Sequence, residues 1–367
     1  MEYRHEFEIK LERIRMMLKE EQLYGCYIKR QDNFAWLTCG KVNYVAVGDF
    51  GNCGLLVTQE KLYAITNNIE APRMREEEKL EEMGFSILEG VWHQTDFEKQ
   101  EIQRICQKQP VGYDHRGDGA DLSSCIQQLR FSLTEEEVSR YQEGGKLASR
   151  LIEETAASLR PGDTELTVVG RAACLAREAG LDVISLFCGS DERIYRYRHA
   201  IPTEKVIRER VQMGGNLRYK GLVICCTRYV NFIPVSEELK KQYIDNVRID
   251  CTMIANSIPG ESYQTPFLAG KKAYEELGYG QEFEKHHQGG PIGYTARDYR
   301  IDFSHHGVIA PNQGFCWNPS ITGTKSEDTV IATVNGPLFI SSPCLFPAIE
   351  LKVCGQSFKR PYILEKY

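Results

Sequence analysis

The chain has 367 residues, enough for about two domains of roughly 150 residues each, with 42 % hydrophobic and 26 % charged residues. That balance excludes a disordered or fibrous chain. Forty-five Lys plus Arg against 51 Asp plus Glu leave a formal charge of -6, which argues against nucleic-acid or membrane-surface binding through bulk charge.

A small molecule or short peptide is therefore the expected partner. No window reaches the ~18 consecutive apolar residues of a membrane helix, and the N-terminus is charged and amphipathic rather than a signal core. A cytoplasmic protein is expected. The 13 cysteines have neither paired Cys-x-x-Cys zinc spacing nor the density of a disulfide scaffold, so most are expected to be reduced and buried.

Residues 1–22 carry Phe7, Leu11, Ile14, Met17 and Leu18 at helical spacing. Strand-like runs follow at 24–28, 54–58 and 61–66, then a charged helical stretch through 74–83 and a strand at 85–88. A helix over 93–107, a strand at 111–113 and a helix at 121–129 complete an alternating α/β unit. The first domain is set at 1–130 and the second at 131–367.

The second domain opens on Thr134 with Glu137 three residues later, a capping box ahead of a helix running to Leu159. Arg160-Pro161-Gly162-Asp163 stops that helix, and a second spans 164–180. A strand at 183–187 precedes two more over 212–230 joined around 218–221; helices cover 235–257 and 265–277. From Phe283 onward the chain is rich in Gly, Pro, Asn, His and aromatics and reads as strands and loops.

Four segments are suited to chemistry. They are Arg198-His199-Ala200-Ile201-Pro202-Thr203, the run from Gly221 to Thr227-Arg228 through Cys225-Cys226, the glycine-threaded His286-His287-Gln288-Gly289-Gly290-Pro291-Ile292-Gly293-Tyr294, and Trp317-Asn318-Pro319 followed by Lys325-Ser326-Glu327-Asp328. Glycines let backbone approach a ligand, and imidazoles exchange protons near neutral pH.

In this order the segments resemble the creatinase, prolidase and aminopeptidase P superfamily. Asn33-Phe34-Ala35-Trp36-Leu37-Thr38 and Arg160-Pro161-Gly162-Asp163 extend the likeness over nearly the whole chain. The resemblance implies an α/β (α+β) protein: an N-terminal creatinase-type α/β domain and a C-terminal pita-bread domain whose antiparallel sheet is covered by helices. It also implies a homodimer in which Trp36 or Asn43 reaches the partner's pocket.

The superfamily's peptidases hold two divalent metals through two Asp, a His and two Glu. Those positions fall here on Gly214, Cys225, His287, Asn318 and Glu327, so three of the four carboxylates are gone. Hard cations close together need several anionic oxygens. No cofactor is therefore expected, although a single zinc on Cys225, His287 and Glu327 is a chemically allowed alternative.

The creatinase branch hydrolyses without metal, so the resemblance implies His199, His287 and Glu327 as catalytic groups. Arg198, Tyr294, Arg297, Trp317, Asn318 and Lys325 are then the expected substrate-binding residues: Arg297 for a carboxylate or else paired with Asp298 or Asp302, Trp317 and Tyr294 enclosing a group or else packing the core. The leading expectation is a metal-independent hydrolase of a C–N bond in a small amidine, amide or amino-acid-derived molecule. The alternatives are a non-catalytic scaffold and a metal-dependent Xaa-Pro aminopeptidase.

Overall fold

A computed structural model describes residues 4–117 and 119–367. It divides into two compact units, Met1–Glu137 and Val138–Tyr367. The division falls after Glu137 rather than at the 130/131 junction expected from sequence.

In the first unit α1 (Arg4–Glu20) buries Phe7, Leu11, Ile14, Met17 and Leu18, the stripe that its spacing defines; the expected residues 1–3 of this helix lie outside the described residues. The same face buries Lys10. Its ammonium lies 2.5 Å from Glu6 Oε1 and 2.7 Å from Glu137 Oε1 and donates to the Trp36 carbonyl at 2.7 Å, the pairing a buried charge requires.

Strands β1 (Gly25–Arg30), β2 (Phe50–Thr58), β3 (Leu62–Asn67), β4 (Ser86–Gly90), β5 (Val111–Tyr113) and β6 (Ala120–Asp121) form one mixed sheet in the order β4-β3-β2-β1-β5-β6. Between β1 and β2 lies a helix that no spacing announces, α2 (Gln31–Leu37), buried along its whole length. Asp114 ties it down, accepting from the backbone of Lys29 and Arg30 and from Asn33 Nδ2.

Trp36 and Asn43 are fully buried in this unit, and Asn43 Nδ2 donates to the Cys53 carbonyl. Neither is exposed to reach a partner, contrary to the expectation above. The helical stretch expected over 74–83 is broken: α3 (Ala71–Glu76) ends before Lys79, whose φ of 51° no helix allows, and only a short 3₁₀ turn follows. Helices α4 (Phe97–Cys106) and α5 (Ser123–Leu129) complete the unit.

Helix α6 (Glu135–Ser158) opens on the expected box, with Glu137 N donating to Thr134 Oγ1 and Thr134 N to Glu137 Oε2. After α7 (Glu165–Glu178) come β7 (Asp182–Ser190), α8 (Glu192–Arg196), β8 (Arg210–Tyr219) and β9 (Leu222–Asn231). The β8–β9 turn is Lys220-Gly221, both at positive φ, and this two-residue turn fixes the register of the hairpin.

Helices α9 (Glu237–Ala255) and α10 (Gln264–Glu276) precede β10 (Gly289–Pro291), β11 (Gln313–Trp317), the short hairpin β12 (Ser320–Ile321) and β13 (Thr324–Lys325), then β14 (Asp328–Thr333) and β15 (Gly336–Phe339). A hairpin of β16 (Ala348–Val353) and β17 (Gln356–Pro361) leads to β18 (Leu364–Glu365). The main sheet runs β10-β11-β14-β9-β8-β7, with β15 on β14 and β18 on β9, and is antiparallel except at β18.

Tyr243, Val247, Met253, Phe267 and Tyr274 of α9 and α10 pack on Tyr229, Phe315, Trp317 and Val330 of this sheet. The unit is an antiparallel sheet covered by helices. All 13 cysteines are free and most are buried. Among the described residues no helix is long and apolar enough to cross a membrane.

Candidate active site

Glu327 stands just before β14, 7 % exposed, and three neighbours converge on its carboxylate. Thr227 Oγ1 of β9 donates to Oε2 at 2.6 Å, Lys325 Nζ of β13 to Oε2 at 2.8 Å, and Arg297 Nη2 to Oε1 at 3.4 Å. Burial alone would raise this carboxyl, but Lys325 and Arg297 outweigh it and hold the group near 2. Glu327 is thus an anion held between two cations of the protein.

The hairpin register brings Asn216 opposite Cys225 and Gly214 opposite Thr227. Cys225 Sγ lies 2.5 Å from Asn216 Oδ1 and 3.7 Å from Arg297 Nη1. Burial pushes its thiol up, while hydrogen bonding with Cys316 and the Arg297 charge pull it below the ordinary cysteine range. A Cβ on Gly214 would come 2.2 Å from the Cys226 carbonyl, so no side chain fits there without moving β9.

A second cluster is made of imidazoles. His199 follows α8, and His286 and His287 follow the 3₁₀ turn Gly280–Lys285. His286 Nε2 is 3.2 Å from His199 Nε2, and the ring centroids of the three lie 4.4 to 5.8 Å apart. Burial and the charge of Lys325 depress His199; His286 is driven far below the usual 6.5 and His287 to about 3, burial being the main cause in each. All three are neutral bases at neutral pH. His199, Lys325, Thr227, Gly214 and Arg198 line one cleft of about 10 Å³, room for a single water molecule.

No family model matches the chain. It is similar to an uncharacterized peptidase of Staphylococcus aureus strain MW2, 23 % identical over 265 residues that cover 69 % of this chain and 74 % of that protein. Among solved structures, an Xaa-Pro dipeptidase from Bacillus anthracis superimposes with a TM-score of 0.74 at 20 % identity, over 97 % of this chain and 99 % of that one. The N-terminal domain of the FACT complex subunit SPT16 from chickpea (Cicer arietinum) does so with a TM-score of 0.71 at 12 % identity, over 93 % and 97 %.

The chain has the fold of the creatinase, prolidase and aminopeptidase P superfamily. That pita-bread fold lets each expected ligand position be tested against the residues present. Gly214 has no room for a side chain, Cys225 faces Asn216 and Arg297, Asn318 is neutral, and Glu327 is engaged by Lys325 and Arg297.

The fifth position needs a correction. His287 was expected among these ligands, but its contacts are with the other imidazoles. Across from Cys316, whose Sγ approaches Glu327 Oε1 at 3.8 Å, the glycine segment presents Gly290, where a Cβ would meet the Tyr299 carbonyl at 2.6 Å. These residues do not fit a dinuclear metal centre. A single zinc on Cys225, His287 and Glu327 fits no better, since Arg297 bonds both Cys225 and Glu327.

Most of the expected substrate-binding residues are committed to the protein itself. Arg297 pairs with Glu327 rather than with Asp298 or Asp302. Trp317 is core: its Nε1 donates to Ser257 Oγ at 2.9 Å and its ring stacks on Phe315. Tyr294 is 2 % exposed and its hydroxyl accepts from Arg140 Nη2 at 3.0 Å. Arg198 donates to Glu282 Oε2 at 2.5 Å and to Thr322 Oγ1 at 3.0 Å.

Asn318 is buried with its Oδ1 lacking a hydrogen-bond partner. Lys325 reaches the cleft but is tied to Glu327. Three members of the site had no assigned role from sequence: Asn216, Thr227 and His286. The two-residue turn at Lys220-Gly221 carries the signal for the first two, since it dictates which β8 and β9 residues face each other.

Proposed function

We propose that the protein is a metal-independent hydrolase of a C–N bond in a small amidine, amide or amino-acid-derived substrate. The observation that carries this reading is the pairing of Glu327 with Lys325 at 2.8 Å and Arg297 at 3.4 Å, with a cluster of three neutral imidazoles of which His199 lines the same cleft as Lys325. Protein cations occupy the electrostatic role that a metal pair has in a dinuclear site, and general acid–base chemistry passes to histidine.

In this reading His199, the most exposed of the three, takes a proton from water and returns it to the leaving nitrogen, with His287 as second proton carrier. Lys325 offers positive charge to the developing oxyanion, and Glu327 fixes Lys325. The site is expected to act within a homodimer in the cytoplasm. A non-catalytic scaffold is the second reading, favoured by the ≈ 10 Å³ cleft, too small for a substrate without movement.

The test is turnover of a panel of amidines, amides and dipeptides, followed by mass spectrometry, before and after treatment with a strong chelator. Turnover that survives chelation and disappears in His199→Ala supports the proposal. Turnover restored only by added Mn, Co or Zn contradicts it, and ligand binding with no turnover of any compound favours the scaffold.

A further inference from the structure

We propose that His199, His286 and His287 form a binding site for one divalent zinc ion, and that zinc held there shuts the site off. The binding stands on geometry alone; the shut-off rests on the hydrolase reading above. The three residues each present a ring nitrogen, and these atoms lie within 4.8 Å of one another. Two nitrogens on one tetrahedral zinc, each about 2.0 to 2.1 Å from the metal, are about 3.3 Å apart. His199 Nε2 and His286 Nε2 are already at 3.2 Å.

The backbone that carries the rings is anchored. Gln288, 1 % exposed, donates to the carbonyls of Phe283 and His286 at 2.8 and 2.6 Å and accepts from Tyr274 Oη at 3.1 Å, which fixes the turn bearing His286 and His287. Opposite it, the carbonyl of Ala200 accepts from Cys188 N at 3.3 Å, holding the segment next to His199 on β7.

The donor set selects the ion. Nδ1 of both His286 and His287 is buried without a hydrogen-bond partner, and the Nε2 of His286 meets only that of His199, so no carboxylate or carbonyl holds these ring nitrogens. Neutral imidazoles suit zinc and neighbouring transition metals, whereas magnesium and calcium require oxygen ligands. Three imidazoles leave a fourth position open.

The surrounding charges set the strength. Lys325 and Arg297 share Glu327, Arg198 is paired with Glu282, and Arg300 is exposed. The residual positive charge weakens the binding of a dication. Zinc bound there occupies the lone pair with which His199 would take a proton from water, so binding and proton transfer are mutually exclusive.

The experiment is calorimetric titration of the full chain with zinc alone, under reducing conditions, together with the visible spectrum of the cobalt-substituted protein. One equivalent per chain, a d–d band without thiolate charge transfer, and at least tenfold weaker binding in both His286→Ala and His199→Ala, each checked for an unchanged circular dichroism spectrum, support the site. No binding, undiminished binding in these variants, or a thiolate spectrum from exposed Cys174, Cys344 or Cys354 overturns it and leaves the hydrolase reading standing. A site with these properties in a protein that turns over no candidate overturns the hydrolase reading instead. Turnover that continues with zinc bound overturns the shut-off.

Discussion

Glu327 and Asp328 are neighbours in the chain, each held by two cationic side chains, yet they belong to different worlds. Asp328 lies 3.1 Å from Arg228 Nη1 and 3.1 Å from Arg360 Nη1, which in turn meet Glu153 at 2.8 Å and Asp250 at 2.6 Å, all with fully buried side chains. Glu327, the residue just before β14, is instead gripped by Thr227, Lys325 and Arg297, and of these Thr227 and Lys325 line the cleft of His199. Enclosure makes the first cluster structural; the second, with Lys325 on the cleft of His199, is the candidate site.

Breaking the Asp328 side is expected to have the largest effect. Arg228→Ala leaves Asp328 and Glu153 buried without that cation and costs about 3–5 kcal/mol, enough to prevent folding or lower the denaturation midpoint severely. Glu327→Gln leaves Lys325 and Arg297 without an anion and costs about 1–3 kcal/mol in urea unfolding, less because Glu327 and Lys325 keep some contact with solvent where the Asp328 cluster has none.

The acid dependence sharpens the contrast. A carboxyl held near 2, against an ordinary 4.5, contributes stability that is present above pH 4.5 and is lost as pH falls toward 2. The full contribution is on the order of 3 kcal/mol. The stability gap between wild type and Glu327→Gln should therefore narrow on acidification from pH 5 to pH 2.5; a constant gap would mean that Glu327 is not ionised by its neighbours.

Smaller effects follow. Trp317→Phe removes the bond to Ser257 and should cost about 1–2 kcal/mol, leaving ligand affinity unchanged, as expected of a core residue. His199→Ala removes no packed core group and should change stability by about 0.5 kcal/mol or less, while abolishing turnover. Thermal melts of these two variants beside a turnover assay separate core from site.

The fold was largely legible because periodicity and capping are local: the stripe on α1, the box at Thr134 and Glu137 and the turn at Lys220-Gly221 each state their structure in a few residues. The site was legible only in part. The segments bearing His199, Glu327 and Lys325 could be picked out, but Arg297 could equally have paired with Asp298, Asp302 or a ligand, since a loop arginine's direction is set by tertiary contacts that no spacing encodes.

Trp317 reads alike as core or as pocket wall until its Nε1 finds Ser257. His287 falls on a metal position only through the family likeness, and the tertiary contacts that gather it with His199 and His286 are not encoded in the spacing. The register that pairs Asn216 with Cys225, by contrast, follows from the two-residue turn and was within reach of the sequence.

Anomalous diffraction from crystals soaked in excess manganese tests the central claim most directly. With Lys325 and Arg297 in possession of Glu327, the map should be featureless around that carboxylate. Two anomalous peaks about 3.5 to 4 Å apart, with Glu327 turned away from both cations to bind them, would contradict it.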